Sequence, residues 1–188
     1  MVYTSTASPN NYNKSAIIFD FDNTLVKTEC IIKITDNKTG RVFDVHSDQY
    51  ELYENDRSVA IDLRYFEQVS DYKIITDTFS RLVEHHANQI ETHILSARHC
   101  PNQIYKFCND NNLHNTKITT LGIKIGDNNG LHKANYIRKL IKQNNYSDIE
   151  FYDDRLDCVS EVKNLSNEFE NTIIRVYRIL DSNIITKF

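Results

Sequence analysis

The run Ser15-Ala16-Ile17-Ile18-Phe19-Asp20 constrains the fold more than any other stretch of the chain. Its apolar residues are consecutive. A strand with one wet face alternates apolar and polar positions, whereas a strand buried on both faces reads as an unbroken apolar run. The run therefore predicts a central strand of a parallel sheet. It leads directly into Asp20-Phe21-Asp22, two carboxylates where the strand should end.

The remaining sequence alternates short apolar runs with longer segments of helical period, the pattern of an α/β fold. Further strands are expected at residues 91–96, 117–123, 149–152 and 172–177. Helices are expected at 76–88, 102–111, 131–142 and 157–165. The pattern fits a Rossmann-like three-layer sandwich around a parallel sheet. Residues 26–75 form a small insertion after the first strand. It begins with β-rich stretches at 30–34 and 41–45 around Asp36-Asn37-Lys38-Thr39-Gly40, which predicts a hairpin. Residues 47–69 are expected to hold a short helix and loop, completing a small flap.

A length of 188 residues suits one domain, spanning 15–188. The polar stretch 1–14 reads as a flexible tail, without the basic start or apolar centre of a signal peptide. No run is long and apolar enough to span a membrane. The four cysteines, Cys30, Cys100, Cys108 and Cys158, have neither C-x-x-C nor zinc spacing, so free thiols are expected. These features point to a cytoplasmic location, in the host cell if the chain is viral. The net charge of −4 gives no global basic footprint for nucleic acid.

Ligands of open parallel sheets bind beyond the carboxyl ends of the strands. The polar residues expected there are Asp20 and Asp22, then Ser96, then Asp153 and Asp154. Two carboxylates two positions apart repel unless a cation neutralises them, and a hard divalent ion such as Mg²⁺ does so. Asp153 and Asp154 would add oxygens from a neighbouring strand. Phosphoryl transfer needs a nucleophile, charge neutralisation and a proton donor. Asp20 can attack phosphorus. Asp22 can protonate the leaving oxygen and then activate water. Ser96 can hydrogen-bond a phosphate oxygen, and Lys133 can place a positive charge beside the nucleophile. Lys124 and Lys139 are nearby alternatives, but Lys133 has the better place at a helix start.

In order along the chain, these residues resemble the four motifs of the haloacid dehalogenase superfamily. The motifs are Asp20-Phe21-Asp22-Asn23-Thr24-Leu25, Ile94-Leu95-Ser96-Ala97-Arg98, Lys133 within Leu131-His132-Lys133-Ala134, and Phe151-Tyr152-Asp153-Asp154-Arg155. The resemblance implies a Rossmann-like core, Mg²⁺ and an aspartyl-phosphate intermediate. It implies a metal held by the Asp20 carboxylate, the backbone carbonyl of Asp22 and a carboxylate of the fourth motif. Asp154 is favoured as the direct ligand and Asp153 as its helper. A carboxylic acid at the second motif position marks superfamily members that hydrolyse phosphate esters, so Asp22 implies a phosphatase. Asn23, Thr24, Ala97, Arg98 and Arg155 are expected on the substrate side. Thr24 is expected to hydrogen-bond the loop carrying the aspartates. Arg98 and Arg155 either contact a substrate phosphate or sit in ion pairs.

The Ser-Ala-Arg and Asp-Asp-Arg sequences also resemble the phosphatase half of phage polynucleotide kinase/phosphatases and small phage and viral phosphatases. The substrate stays open among a nucleotide, a nucleic-acid end and a phosphoprotein, and nothing indicates an obligate protein partner. Tyr50, Tyr53, Tyr65 and Phe66 could stack on a base, though packing within the flap is the simpler use. A phosphotransferase and a non-catalytic scaffold that binds phosphate or nucleic acid are the alternative functions. A phospho-acceptor receiver domain fits less well, because its acidic pair precedes the acceptor Asp.

Overall fold

The computed structural model describes residues 14–28, 31–46, 49, 52–54, 56–64, 71–124, 127–180 and 185–188. Most of the expected tail, together with Cys30, Tyr50, Tyr65 and Phe66, lies outside the described residues. The elements in chain order are β1 (Ser15–Phe19), β2 (Val26–Lys27), β3 (Ile31–Asp36), β4 (Val42–His46), β5 (Val59–Asp62), β6 (Lys73–Ile74), α1 (Thr76–Ala87), β7 (Glu91–Ser96), α2 (Asn102–Asp110), β8 (Lys117–Thr120), α3 (Asn129–Asn144), β9 (Asp148–Asp153), α4 (Leu156–Asn164), β10 (Ile173–Ile179) and β11 (Ile185–Lys187).

Among the described residues, the main sheet runs β11-β10-β9-β1-β7-β8. Strands β10, β9, β1, β7 and β8 are parallel, and β11 closes one edge in the antiparallel sense. The unbroken apolar run of β1 has its physical cause here. Ala16 and Ile18 face a core shared with Ala134, Ile137, Val159 and Val162 of α3 and α4. Ile17 and Phe19 face the opposite core, with Leu82 of α1 and Ile104 and Phe107 of α2. Ile18 and Phe19 are completely buried, and each such side chain stabilises the fold by about 1.5–3 kcal/mol. The expected α/β three-layer architecture is therefore present. Among the described residues no helix is long and apolar enough to cross a membrane.

The described strands between 26 and 75 pair antiparallel, outside the main sheet. β2 and β6 pair with Val26 opposite Ile74. The expected hairpin is β3 and β4, whose turn is held by Asp36 Oδ1 accepting from the N–H groups of Lys38 and Thr39. Residues 49 and 52 are in 3-10 turns, as the expected short helix and loop of 47–69 allow, but Val59–Asp62 is a strand, β5, which pairs antiparallel with the other side of β3. The resulting three-stranded sheet has its own small core of Ile32, Ile34 and Val45, packed by Phe43, Tyr53, Val59 and Ile61. Tyr53 meets Phe43 edge-on, so its ring is used in packing.

Candidate active site

The sheet register assembles the site. β1 and β9 lie side by side with Phe19 opposite Tyr152, and the Asp20 N–H donates to the Tyr152 carbonyl at 2.9 Å. That brings Asp20 level with Asp153. On the other side of β1, Phe19 lies opposite Ile94, which carries Ser96 to the same end of the sheet. Strand order reverses around β1, so these residues sit at the crevice where open α/β sheets bind ligands.

Lys133 enters this crevice from α3. The helix begins at Asn128, whose side chain accepts from the Leu131 N–H at 2.8 Å and caps it. A Cβ at Gly130 would stand 2.4 Å from the Asp157 carbonyl oxygen, so a glycine is needed for the starts of α3 and α4 to approach. Lys133 Nζ donates to Asp20 Oδ1 at 2.6 Å and to Asp153 Oδ2 at 2.7 Å. Lys133 is only 2% exposed, while Lys124 and Lys139 are exposed.

Asp20, Asp153 and Asp154 present carboxylate oxygens within 4.8 Å of one another. Lys133 donates to two of these three acids. Burial, reinforced by Asp153 and Asp22, pushes the Asp20 carboxyl up to about 7 despite Lys133. Burial, then Asp153 and Asp20, also drives Asp154 well above the usual carboxylate range. For Lys133 burial opposes the charge, but Asp153 and Asp20 outweigh it and hold the ammonium well above its ordinary value. The cluster is short of positive charge, and every donor atom is a hard oxygen. That donor set fits a divalent metal ion. Asp20, Asp153 and Asp154 are the carboxylates able to hold it. Asp153 Oδ1 already accepts the Arg155 N–H at 2.9 Å, and its Oδ2 accepts Lys133.

No known family model matches the chain, and no curated protein matches it. A solved structure does align with it. This is a HAD-superfamily hydrolase from Ehrlichia chaffeensis, 16% identical, with 86% of this chain and 85% of that chain covered at a TM-score of 0.47.

Asp22 lies outside the acidic group. Its carboxylate receives Arg98 Nε and Nη2, each at 2.7 Å, and the Thr28 hydroxyl at 3.2 Å. Of the roles expected of Asp22 toward a metal, only the backbone carbonyl route is left. Arg98 is 4% exposed and gives its third nitrogen, Nη1, to Gln103 Oε1 at 2.6 Å. Of its two expected roles, the structure has Arg98 in the ion pair. Arg155 is likewise paired, with Asp157 and Glu54 each at 3.0 Å.

Among the other expected residues, Thr24, Asn23 and Ala97 make hydrogen bonds through the backbone, and Ser96 through its hydroxyl. Thr24 is completely buried and its hydroxyl lacks a hydrogen-bond partner, while its carbonyl accepts from the Thr78 hydroxyl. Through its carbonyl Thr24 ties the loop that carries the aspartates to α1. Asn23 is exposed at a left-handed φ of 56°, and its N–H donates to the Val26 carbonyl at 2.8 Å, which shapes the turn after Asp22. The Ala97 carbonyl accepts from the Ile123 N–H. Ser96 is buried, and its Oγ accepts from the Arg98 N–H at 3.2 Å.

Sequence reasoning missed Gln103, Thr28 and Glu54. None belongs to a motif: Gln103 and Thr28 lie just beyond the motif residues they bind, Arg98 and Asp22, and Glu54 meets Arg155 from 101 positions away. Asp157 lies in the first turn of α4. Burial raises its carboxyl, but hydrogen bonds from Arg155 and from the N–H groups of Cys158 and Gly130 bring it below its ordinary value.

Proposed function

We propose that the protein is a Mg²⁺-dependent phosphomonoester hydrolase that works through an aspartyl-phosphate on Asp20. The observation that carries this reading is the buried Lys133 ammonium donating to both Asp20 and Asp153, with Asp154 in the same acidic group. A purely structural ion pair would balance its charges. Here the carboxylates exceed the lysine, as expected of a site completed by a cation and a phosphate.

In the first step an Asp20 oxygen attacks phosphorus. The new O–P bond forms as the bond to the leaving oxygen breaks, and that oxygen takes a proton from Asp22 and departs as an alcohol. In the second step Asp22 accepts a proton from water. The water oxygen attacks phosphorus, the Asp20–phosphorus bond breaks, inorganic phosphate departs and Asp22 is protonated again. Lys133 offsets the charge gathering on the nucleophile and the phosphate. Ser96 accepts from the Arg98 N–H, which leaves its own proton to donate to a phosphate oxygen. Asp20 and Asp154 would hold Mg²⁺, helped by Asp153 and the Asp22 carbonyl. When bound, the ion neutralises charge on the transferring phosphoryl group.

The substrate class stays broad: a nucleotide, a nucleic-acid terminal phosphate or a phosphoprotein. Cys100, Cys108 and Cys158 are free thiols, which supports a reducing, cytoplasmic setting. The full chain should hydrolyse a generic aryl phosphate with Mg²⁺ and stop when the ion is chelated. Activity indifferent to both chelator and Asp20→Asn would refute the reading. A panel of nucleotides, sugar phosphates, phosphorylated oligonucleotides and phosphopeptides then selects the substrate.

A further inference from the structure

Asp22 is held by a chain of buried side chains that reaches away from the acidic cluster. Arg98 grips both of its carboxylate oxygens at 2.7 Å, and Gln103, on α2, accepts from the far side of the guanidinium at 2.6 Å. The fork is fixed from every side. Its Nε, Nη1 and Nη2 all donate to protein acceptors, and the Phe21 ring lies 5.5 Å from its carbon centre. The Arg98 backbone is pinned as well, its N–H to Ser96 Oγ and its carbonyl to the Gly122 N–H.

Gln103 is 5% exposed, and its Nε2 is buried without a partner. Turning the amide over would set its N–H groups against those of Arg98. The observed orientation therefore favours the grip on Arg98 at the cost of an unpaired buried donor. A side chain selected only for packing would have no need of that arrangement.

We infer that Arg98 and Gln103 are positioning residues that set the direction of the Asp22 carboxylate, and that Arg98 is not a ligand of the substrate phosphate. The inference rests on the reading of Asp22 as the group that protonates the leaving oxygen. Lysine cannot reproduce the fork, because it is a single point charge. Loosening the grip should therefore impair proton delivery while leaving phosphate binding intact.

The test uses the full chain and the variants Arg98→Lys, Gln103→Leu, Asp22→Asn and the Arg98→Lys/Asp22→Asn double, each confirmed folded by thermal melting. Two substrates are compared: a dinitrophenyl phosphate, whose leaving group needs no proton, and phenyl phosphate, whose leaving group does. Arg98→Lys should lower kcat/KM for phenyl phosphate by about 10- to 100-fold more than for the dinitrophenyl ester. Inhibition by inorganic phosphate should be unchanged, and in the Asp22→Asn background the Arg98 change should add no further loss. Gln103→Leu should show the same pattern more weakly, and it carries the test if Arg98→Lys does not fold. Equal losses on both substrates with weakened phosphate inhibition would make Arg98 a phosphate ligand and overturn the inference. Additive losses in the double variant would overturn it too. If Asp22→Asn itself treats the two substrates alike, the reading of Asp22 falls and takes this inference with it.

Discussion

Carboxylates gather at both ends of the sheet, and the two ends treat them oppositely. At the amino ends of the strands Glu91 meets Lys117 Nζ at 2.5 Å, His93 Nε2 at 3.0 Å, Lys14 Nζ at 3.5 Å and the Tyr146 hydroxyl. At the carboxyl ends Asp20, Asp153 and Asp154 lie together, and Lys133 donates to Asp20 and Asp153. Burial raises Glu91, but the hydrogen bonds from Lys117, Tyr146 and His93 outweigh it and hold the carboxyl at about 2. Burial raises Asp20 to about 7, and its single lysine does not reverse that. Residue types alone do not separate a structural cluster from a site. The ratio of donors to acids does. A satisfied carboxylate stabilises the fold, whereas an under-compensated group is held ready for a ligand that supplies the missing charge.

The sharpest contrast is in turnover. Asp20→Asn should reduce the proposed phosphatase activity by on the order of 10⁴- to 10⁶-fold, whereas Glu91→Gln should leave kcat unchanged, both read with an aryl phosphate and Mg²⁺. A large loss of kcat in folded Glu91→Gln would break the comparison. Next in size is the response to the ion. At a hundredfold excess over its dissociation constant, Mg²⁺ should stabilise the protein by about 2.7 kcal/mol. That is a rise in melting temperature of roughly 5–10 °C for a chain of this size. Asp154→Asn should abolish the rise and Glu91→Gln should keep it.

The two ends should also titrate with opposite signs. The folded Asp20 carboxyl, near 7, lies above its ordinary value of 3.8, so folding takes up a proton between these values. Without metal, its contribution is therefore greatest at the acid end of that window and is lost as the pH rises through about 7. Asp20→Asn should flatten this slope in a melting series, and saturating Mg²⁺ should suppress it. Glu91 behaves in reverse. Its contribution is present above its ordinary value of 4.5 and is lost as the pH falls toward 2. A further effect belongs to Glu91→Gln at neutral pH. Chemical denaturation should show a loss of about 1.5–3 kcal/mol, the scale for hydrogen bonds to a charged group.

Much of this arrangement was legible in the chain because its causes are local. The unbroken apolar run of β1 and the acids just beyond it reflect burial on both faces and charge at a strand end, and Lys133 stood out by its place near a helix start. β5 and β11 were not legible. Val59–Asp62 is four residues long and only partly buried, and Ile185–Lys187 is three residues long, both too short for a periodic signal. The Arg98 grip was legible only as an open choice. Asp22 and Arg98 are 76 positions apart, and their pairing depends on how β1, β7 and α2 pack. The tie from the Thr24 carbonyl to Thr78, 54 positions away, is likewise a product of packing that no local pattern records.

The most direct test is to trap the phosphorylated protein. The full chain is mixed with a radiolabelled phosphomonoester and Mg²⁺, quenched in acid within one turnover, and its peptides are mapped. The expected result is a hydroxylamine-labile label on the peptide that contains Asp20, absent from Asp20→Asn. Label on a different residue, or sustained turnover by Asp20→Asn, would contradict the assignment of Asp20 as the nucleophile.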